Sequence, residues 1–199
     1  GEAVERARTD EALQAERQAA VLRDVGQTLL TTFDLERLMD VLAEGLPQVG
    51  VPSAYLSLYE DPEEPAGWAR LMLAYRGSGE AKRVKLDAQG MRFPSPQLMP
   101  REVWPRKQRY SFIIRSLHFH GDQQGFILYE VGPREGEIYS VLSTQISNAL
   151  QGALLLQARK ETEAALEKAY AEVERQVQER TEELEREKEE GLRLQQEGI

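Results

Sequence analysis

The chain contains no cysteine, only two histidines (His118 and His120) and only one asparagine, Asn148. Without cysteine there is no disulfide, no thiol nucleophile and no thiolate metal site. No stretch reaches the roughly 18 apolar residues that a membrane-spanning helix requires, and no charged-then-apolar leader of the signal-peptide kind is present. A cytoplasmic location is therefore expected. Basic charge is also scarce: the net charge is −9, and residues 160–199 hold 13 acids against 7 bases. A solvated acidic surface repels phosphate backbones, which argues against a nucleic-acid partner.

Proline is absent from both ends. All nine prolines lie between Pro47 and Pro133, leaving a 66-residue proline-free stretch from Arg134 to Ile199. Because proline removes a backbone donor and clashes with the preceding turn, that stretch can run as one uninterrupted helix. Of 14 aromatic residues, 11 lie between Tyr55 and Tyr129, so a packed core is expected in the middle of the chain. The chain opens at Gly1 inside a helical pattern and stops at Ile199 inside another, as a fragment of a longer protein would.

Residues 3–32 read as helix. Leu22, Val25, Leu29 and Thr32 form an apolar stripe at three-four spacing, thinning upstream to Val4, Ala7 and Leu13. So little apolar surface calls for a partner helix. Asp34 is a suitable N-cap for a second helix bearing Leu35, Leu38, Met39, Leu42 and Leu46, which Pro47, Gly50 and Pro52 end. Residues 54–59 and 68–75 read as an antiparallel hairpin across Asp61–Pro65, with a turn at Gly77-Ser78-Gly79. Residues 76–109 read as a long irregular surface connection. Residues 110–119 and 125–131 form a second hairpin, joined by His120–Gln124.

From Glu137 the period becomes helical again. Past Gln157 the apolar face narrows to Leu166, Tyr170, Val173, Val177, Arg180, Leu184, Glu187, Gly191 and Leu194. These steps alternate four and three, which is a heptad seam. Glu182 with Arg186 and Glu189 with Arg193 add i,i+4 pairs. A helix of about 60 residues rises about 90 Å, more than one small domain covers, so the seam calls for a second copy. Arg180, Glu187 and Gly191 weaken it and make its far end able to change register. The expected architecture is α+β: an antiparallel sheet with helices on one face, extended at both ends by long helices forming a parallel dimeric coiled coil. The expected divisions are an N-terminal helix (1–33), an α/β core (34–135) and a long C-terminal helix (136–199), coiled-coil from about residue 158.

The segments DLERLMDVLAEGLPQVGVPSAYLSLYE (34–60) and QGFILYEVGPREGEIYSVLSTQISNALQGALLLQ (124–157) resemble the GAF domain, in which the last strand begins with Gly and apolar residues before a terminal helix. The segment EVERQVQERTEELEREKEE (172–190), with its Glu179-Arg180-Thr181, resembles the signalling helix that joins sensor domains to outputs. The resemblance implies a non-catalytic, signal-transmitting module of a bacterial sensor protein of the histidine kinase, two-component type, with a diguanylate cyclase as the other output to which such helices lead. It implies upstream sensor and downstream output domains in the same parent chain, and the heptad seam places the interface of a parallel homodimer at Leu166, Tyr170, Val173, Val177, Arg180, Leu184 and Leu194. A ligand-sensing domain that initiates the signal and a structural dimerisation spacer are the alternatives.

Neither histidine lies on a helix as a phosphoacceptor would, and no glycine-rich ATP loop, Gly-Lys-Ser/Thr cradle or His-Glu-x-x-His occurs. No enzymatic activity of this segment and no cofactor are expected. His118 and His120, two apart in a strand, would share a face and with Asp122 could begin a zinc site; two polar residues on a wet face is the simpler reading. Bilin-binding relatives attach their chromophore through a cysteine missing here, and the Asn-Lys signature of cyclic-nucleotide binders is absent. A generic pocket of the family would lie between the sheet and the 76–109 connection, lined by Trp68, Phe93, Trp104, Tyr110 and Phe112.

Overall fold

The computed structural model describes residues 2–77, 82–87, 89–105, 109–134 and 136–198, without the side chains of 2–4, 7 and 82. The stripe side chains Val4 and Ala7 and the turn residues Ser78 and Gly79 thus lie outside the described residues. The chain forms two compact units, Gly1–Leu155 and Leu156–Ile199.

Within the first unit, helix α1 spans Glu2–Leu30 and helix α2 Leu35–Gln48. Asp34 has extended backbone angles, and its carboxylate accepts the Arg37 N–H at 2.9 Å, satisfying one of the open donors at the start of α2. The three-four spacing of α2 puts Leu38, Leu42 and Leu46 on one fully buried face. Each contributes about 1.5–3 kcal/mol by leaving water.

Among the described residues, six strands make one antiparallel sheet: β1 (Ser53–Tyr59), β2 (Trp68–Arg76), β3 (Lys82–Arg83), β4 (Met91–Pro94), β5 (Phe112–Phe119) and β6 (Asp122–Glu130). The path runs β3-β2-β1-β6-β5, and β4 also pairs with β2, Trp68 opposite Pro94 and Leu71 opposite Met91. The connection 76–109 therefore supplies two strands and a 3₁₀ turn (Ser95–Gln97), where an irregular surface run is expected from its prolines. The β5–β6 hairpin turns more tightly than the sequence suggests. Phe119 pairs with Asp122, and the two-residue turn His120–Gly121 has φ of 49° and 94°, the doubly positive pattern that matches strand twist.

Gly125 is required by close approach. It sits opposite Leu58 on β1, and a Cβ there would lie 2.1 Å from the Ser57 carbonyl oxygen. Any side chain would push β6 away from the centre of the sheet.

The third helix, α3, spans Gly136–Glu197. Tyr139 anchors its start: the phenol oxygen accepts the Gly132 N–H and donates to the Pro133 carbonyl, both at 3.0 Å. One face of the sheet, through Leu56, Leu73, Ile127 and Tyr129, packs against all three helices in a core that includes Leu29, Leu142, Ile146 and Leu150. Helices on one sheet face are as expected from the sequence.

Within this unit α1 and α3 lie side by side and point the same way. Ala15, Ala19 and Leu22 share a groove with Ile138 and Val141; further along, Gly26 lies under Gln145, and Phe33 lies against Gly152. Residue numbers climb together on both helices. A Cβ at Gly26 would come within 2.3 Å of the Gln145 amide nitrogen, the far end of a flexible side chain that can move aside.

The second unit is the helical stretch Leu156–Glu197 of α3, and its apolar side chains past Leu156 are exposed in the single chain. No helix among the described residues is long and apolar enough to cross a membrane.

Candidate functional site

The sheet face turned away from the helices carries its own core. Tyr55, Ala69, Leu71, Ala74, Phe126 and Leu128 on the sheet are covered by Phe93, Met99 and Val103 of the 84–104 stretch, and all are buried together. Where the sequence suggests a pocket beneath a connection, these three side chains lie on the sheet itself.

The five candidate lining residues part company. Trp104, Tyr110 and Phe112 come together with ring centroids 5.1–6.5 Å apart, and Phe112 meets Tyr55 edge-on at 5.8 Å. Phe93 is buried further along, opposite Ala69. Trp68, one residue before the inward-facing Ala69, points to the other face and is 44% exposed. Its ring is covered by the Arg92 guanidinium, 3.7 Å from the centroid. Glu60 accepts from that same Arg92 and from Arg70, fixing the cation over the indole.

At the aromatic end, Arg76 donates to the Tyr55 hydroxyl at 3.2 Å and to the Val103 carbonyl, tying the connection to the strand end. Burial raises the Tyr55 phenol above its ordinary value, and the hydrogen bond from Arg76 opposes that rise. Tyr75 and Tyr129 are pushed up strongly, again first by burial; Tyr75 donates to the Val51 carbonyl at 2.7 Å, and Tyr129 shares a 3.1 Å hydrogen bond with Ser143. These phenols hold the core together in their protonated form.

The histidines do not share a strand face. His118 lies on β5 and lines a groove against α3, whereas His120 is in the turn, its ring 4.4 Å from that of Phe119. Strand parity, used to pair them, ends at Phe119. Among the described residues no three potential metal ligands converge.

In the second unit the seam residues Leu166, Tyr170, Val173, Val177, Leu184 and Leu194 are each 55–68% exposed. They recur on one helical face, and among the described residues none covers them. Charged side chains beside them are organised into ladders. Arg175 reaches Glu172 at 2.7 Å and Glu179 at 2.5 Å, and Arg180 reaches Glu183 at 3.2 Å. The Glu172 carboxyl is held below its usual range because it accepts from Arg175 and Gln176. The expected Glu182–Arg186 pair forms at 3.6 Å; a Glu189–Arg193 pair within 4.0 Å is absent among the described residues.

Sequence reasoning missed the polar flank of α3. Ser140, Thr144, Ser147 and Asn148 face Arg115 and His118 across a groove of about 440 Å³. The only signal for it is the recurrence of small polar residues at helical spacing beside the apolar stripe.

No family model and no curated protein matches the chain. Among solved structures it is similar to the GAF domain of an Acinetobacter phosphoenolpyruvate-protein phosphotransferase, at 12% identity and a TM-score of 0.49, over 71% of this chain and 95% of that one. The corresponding GAF domain from Coxiella burnetii gives 15% identity and a TM-score of 0.48, over 72% of this chain and 98% of that one. A phycoerythrobilin-bound GAF domain from a cyanobacterial phytochrome gives 13% and 0.45, over 70% and 97% respectively.

Proposed function

We propose that this chain is a non-catalytic, dimeric signal-transmitting module of GAF type from a bacterial sensor protein, with a histidine kinase as the parent. It relays a conformational bias from an upstream sensor domain to a downstream output domain through its flanking helices. The observation that carries this reading is the co-directional packing of α1 and α3, with Ala15, Ala19 and Leu22 beside Ile138 and Val141 and Gly26 under Gln145. A displacement of one helix is handed to the other in the same sense. The uncovered heptad seam is the second support, since two copies joined along it align their output ends. The partner is a second copy of this chain, parallel and in register, through Leu166, Tyr170, Val173, Val177, Arg180, Leu184 and Leu194. Occupation of the second sheet face by Phe93, Met99 and Val103 favours relaying over sensing at that face.

Cysteine cross-linking tests the arrangement cleanly, because the native chain has none. Tyr170→Cys and Val177→Cys, each as a single cysteine, should both form disulfide-linked dimers under mild oxidation. An in-register parallel pair puts each residue opposite its own copy; failure of both would refute the parallel seam.

A further inference from the structure

The groove between β5 and α3 is lined mainly by polar and basic side chains. Its β5 wall presents Arg115 and His118, and its α3 wall Ser140, Thr144, Ser147 and Asn148. Among the described residues no carboxylate lines it, although 34 of 199 residues are acids. The groove exists because this flank of α3 is built from short polar side chains. One step round the helix, Leu142, Ile146 and Leu150 are fully buried against the sheet, whereas the short Ser140 and Ser147 side chains touch the edge strand only at Arg115 and at the His118 main chain.

The polar atoms are partly committed, and the commitments show which donors remain. The Arg115 guanidinium gives one N–H to Ser140 Oγ at 2.7 Å and keeps the others. Ser147 Oγ accepts the main-chain N–H of His118 at 3.3 Å, so its own hydrogen is free to donate. Ser143 is spent on the Tyr139 carbonyl and Tyr129, and Thr144 on the Ser140 carbonyl. What is left is a guanidinium tethered by one hydrogen bond, a hydroxyl, an amide and an imidazole around an open space. The volume lies in the range of small-molecule sites, roughly 300–1,000 Å³.

We infer that this groove binds the oxyanion group, phosphate or carboxylate, of a small metabolite. Arg115 supplies charge-assisted hydrogen bonds, which are about twice as strong as neutral ones. Ser147 and Asn148, on adjacent positions of α3, complete the cradle. The site is on the helix side of the sheet, opposite the face where the sequence suggests a pocket. A bound anion bridges β5 and α3. Its effect on signalling rests on the relay reading above, whereas binding itself does not.

The test uses nuclear magnetic resonance on the full chain labelled at histidine and asparagine, titrated with inorganic phosphate and with citrate at constant ionic strength. Asn148 is the sole asparagine, and His120, outside the groove, is an internal control beside His118. Saturable shifts of the Asn148 side-chain amide and the His118 ring, with His120 unmoved, are expected. Saturation by phosphate alone, citrate alone or both identifies the preferred oxyanion. Arg115→Gln should weaken binding by about tenfold or more. Should that variant lose its amide dispersion, Asn148→Leu at an exposed position replaces it, with the same expectation. Shifts of His118 and His120 that move together without saturation overturn the proposal, as does unchanged affinity in a folded variant. These signals report from the groove walls, at residues distinct from the seam positions. A failed cross-link at Val177 therefore counts against the seam alone, and a failed titration against the groove alone.

Discussion

Replacing Val177 by glutamate strikes the proposed interface at one seam position. In the single chain Val177 is 60% exposed, so most of its surface is still available for burial by a partner. Full burial of a valine side chain is worth about 1.5–3 kcal/mol, which leaves about 1–2 kcal/mol per chain and twice that for the pair. Glutamate forfeits this gain and places two carboxylates face to face, where like charges about 4 Å apart repel by up to roughly 4 kcal/mol near a protein surface. A combined loss of about 4–6 kcal/mol raises the dimer dissociation constant by about 10³- to 10⁴-fold. Analytical ultracentrifugation of Val177→Glu at micromolar concentration should therefore show monomer where the native chain is dimeric. Circular dichroism checks that the helix persists. Glu187→Leu, at a seam position already carrying facing carboxylates, should shift the equilibrium the other way. An unchanged dimer for Val177→Glu, or weakened association for Glu187→Leu, would refute the assignment of these residues to a shared seam.

Three further outcomes concern the first unit. Gly125→Ala should cost about 3 kcal/mol or more, because its methyl collides with the Ser57 backbone rather than with a movable side chain; a thermal melt lower by roughly 6–12 °C is expected. Asp34→Ala removes the cap on α2 and should lower stability by about 1 kcal/mol in urea unfolding, with Asp34→Asn largely restoring it. Stability should fall at high pH: Tyr75 and Tyr129 have folded values raised by burial, so their contribution is complete below the unfolded value near 10 and fades as pH climbs above it. Tyrosinate absorbance followed with circular dichroism should show part of the phenol signal appearing only as the fold is lost.

The helices were legible because their signals are local. Asp34 before a three-four apolar run announces α2, and the lack of proline after Pro133 lets α3 continue. The hairpins were legible as alternating runs between turn residues. The 76–109 stretch was not, because its four-residue strand Met91–Pro94 is too short to establish a period and gains its identity from pairing with the distant Trp68–Leu71. Four prolines between Pro94 and Pro105 read as irregularity, yet Phe93, Met99 and Val103 from the same stretch are buried. Strand parity misled at His120, where a residue with positive φ ends the alternation. The β5–α3 groove depends on which strand lies at the sheet edge, and nothing in the Arg115 or Ser147 neighbourhoods states that. The seam shows the converse: its pattern is plain in the sequence, and the single chain has nothing to set against it.

The pairing of α1 with α3 behaves like a lap joint between two boards. Seven positions along the chain, from Gly26 on α1 to Phe33 just past its end, match seven along α3, from Gln145 to Gly152. Overlap of this kind conserves polarity and rotational phase, so modules so jointed can be strung in series without reversing the direction of travel. Lengthening either helix outside the overlap by seven residues should leave neighbouring modules in phase. Three or four extra residues should turn the downstream face through roughly one coiled-coil step.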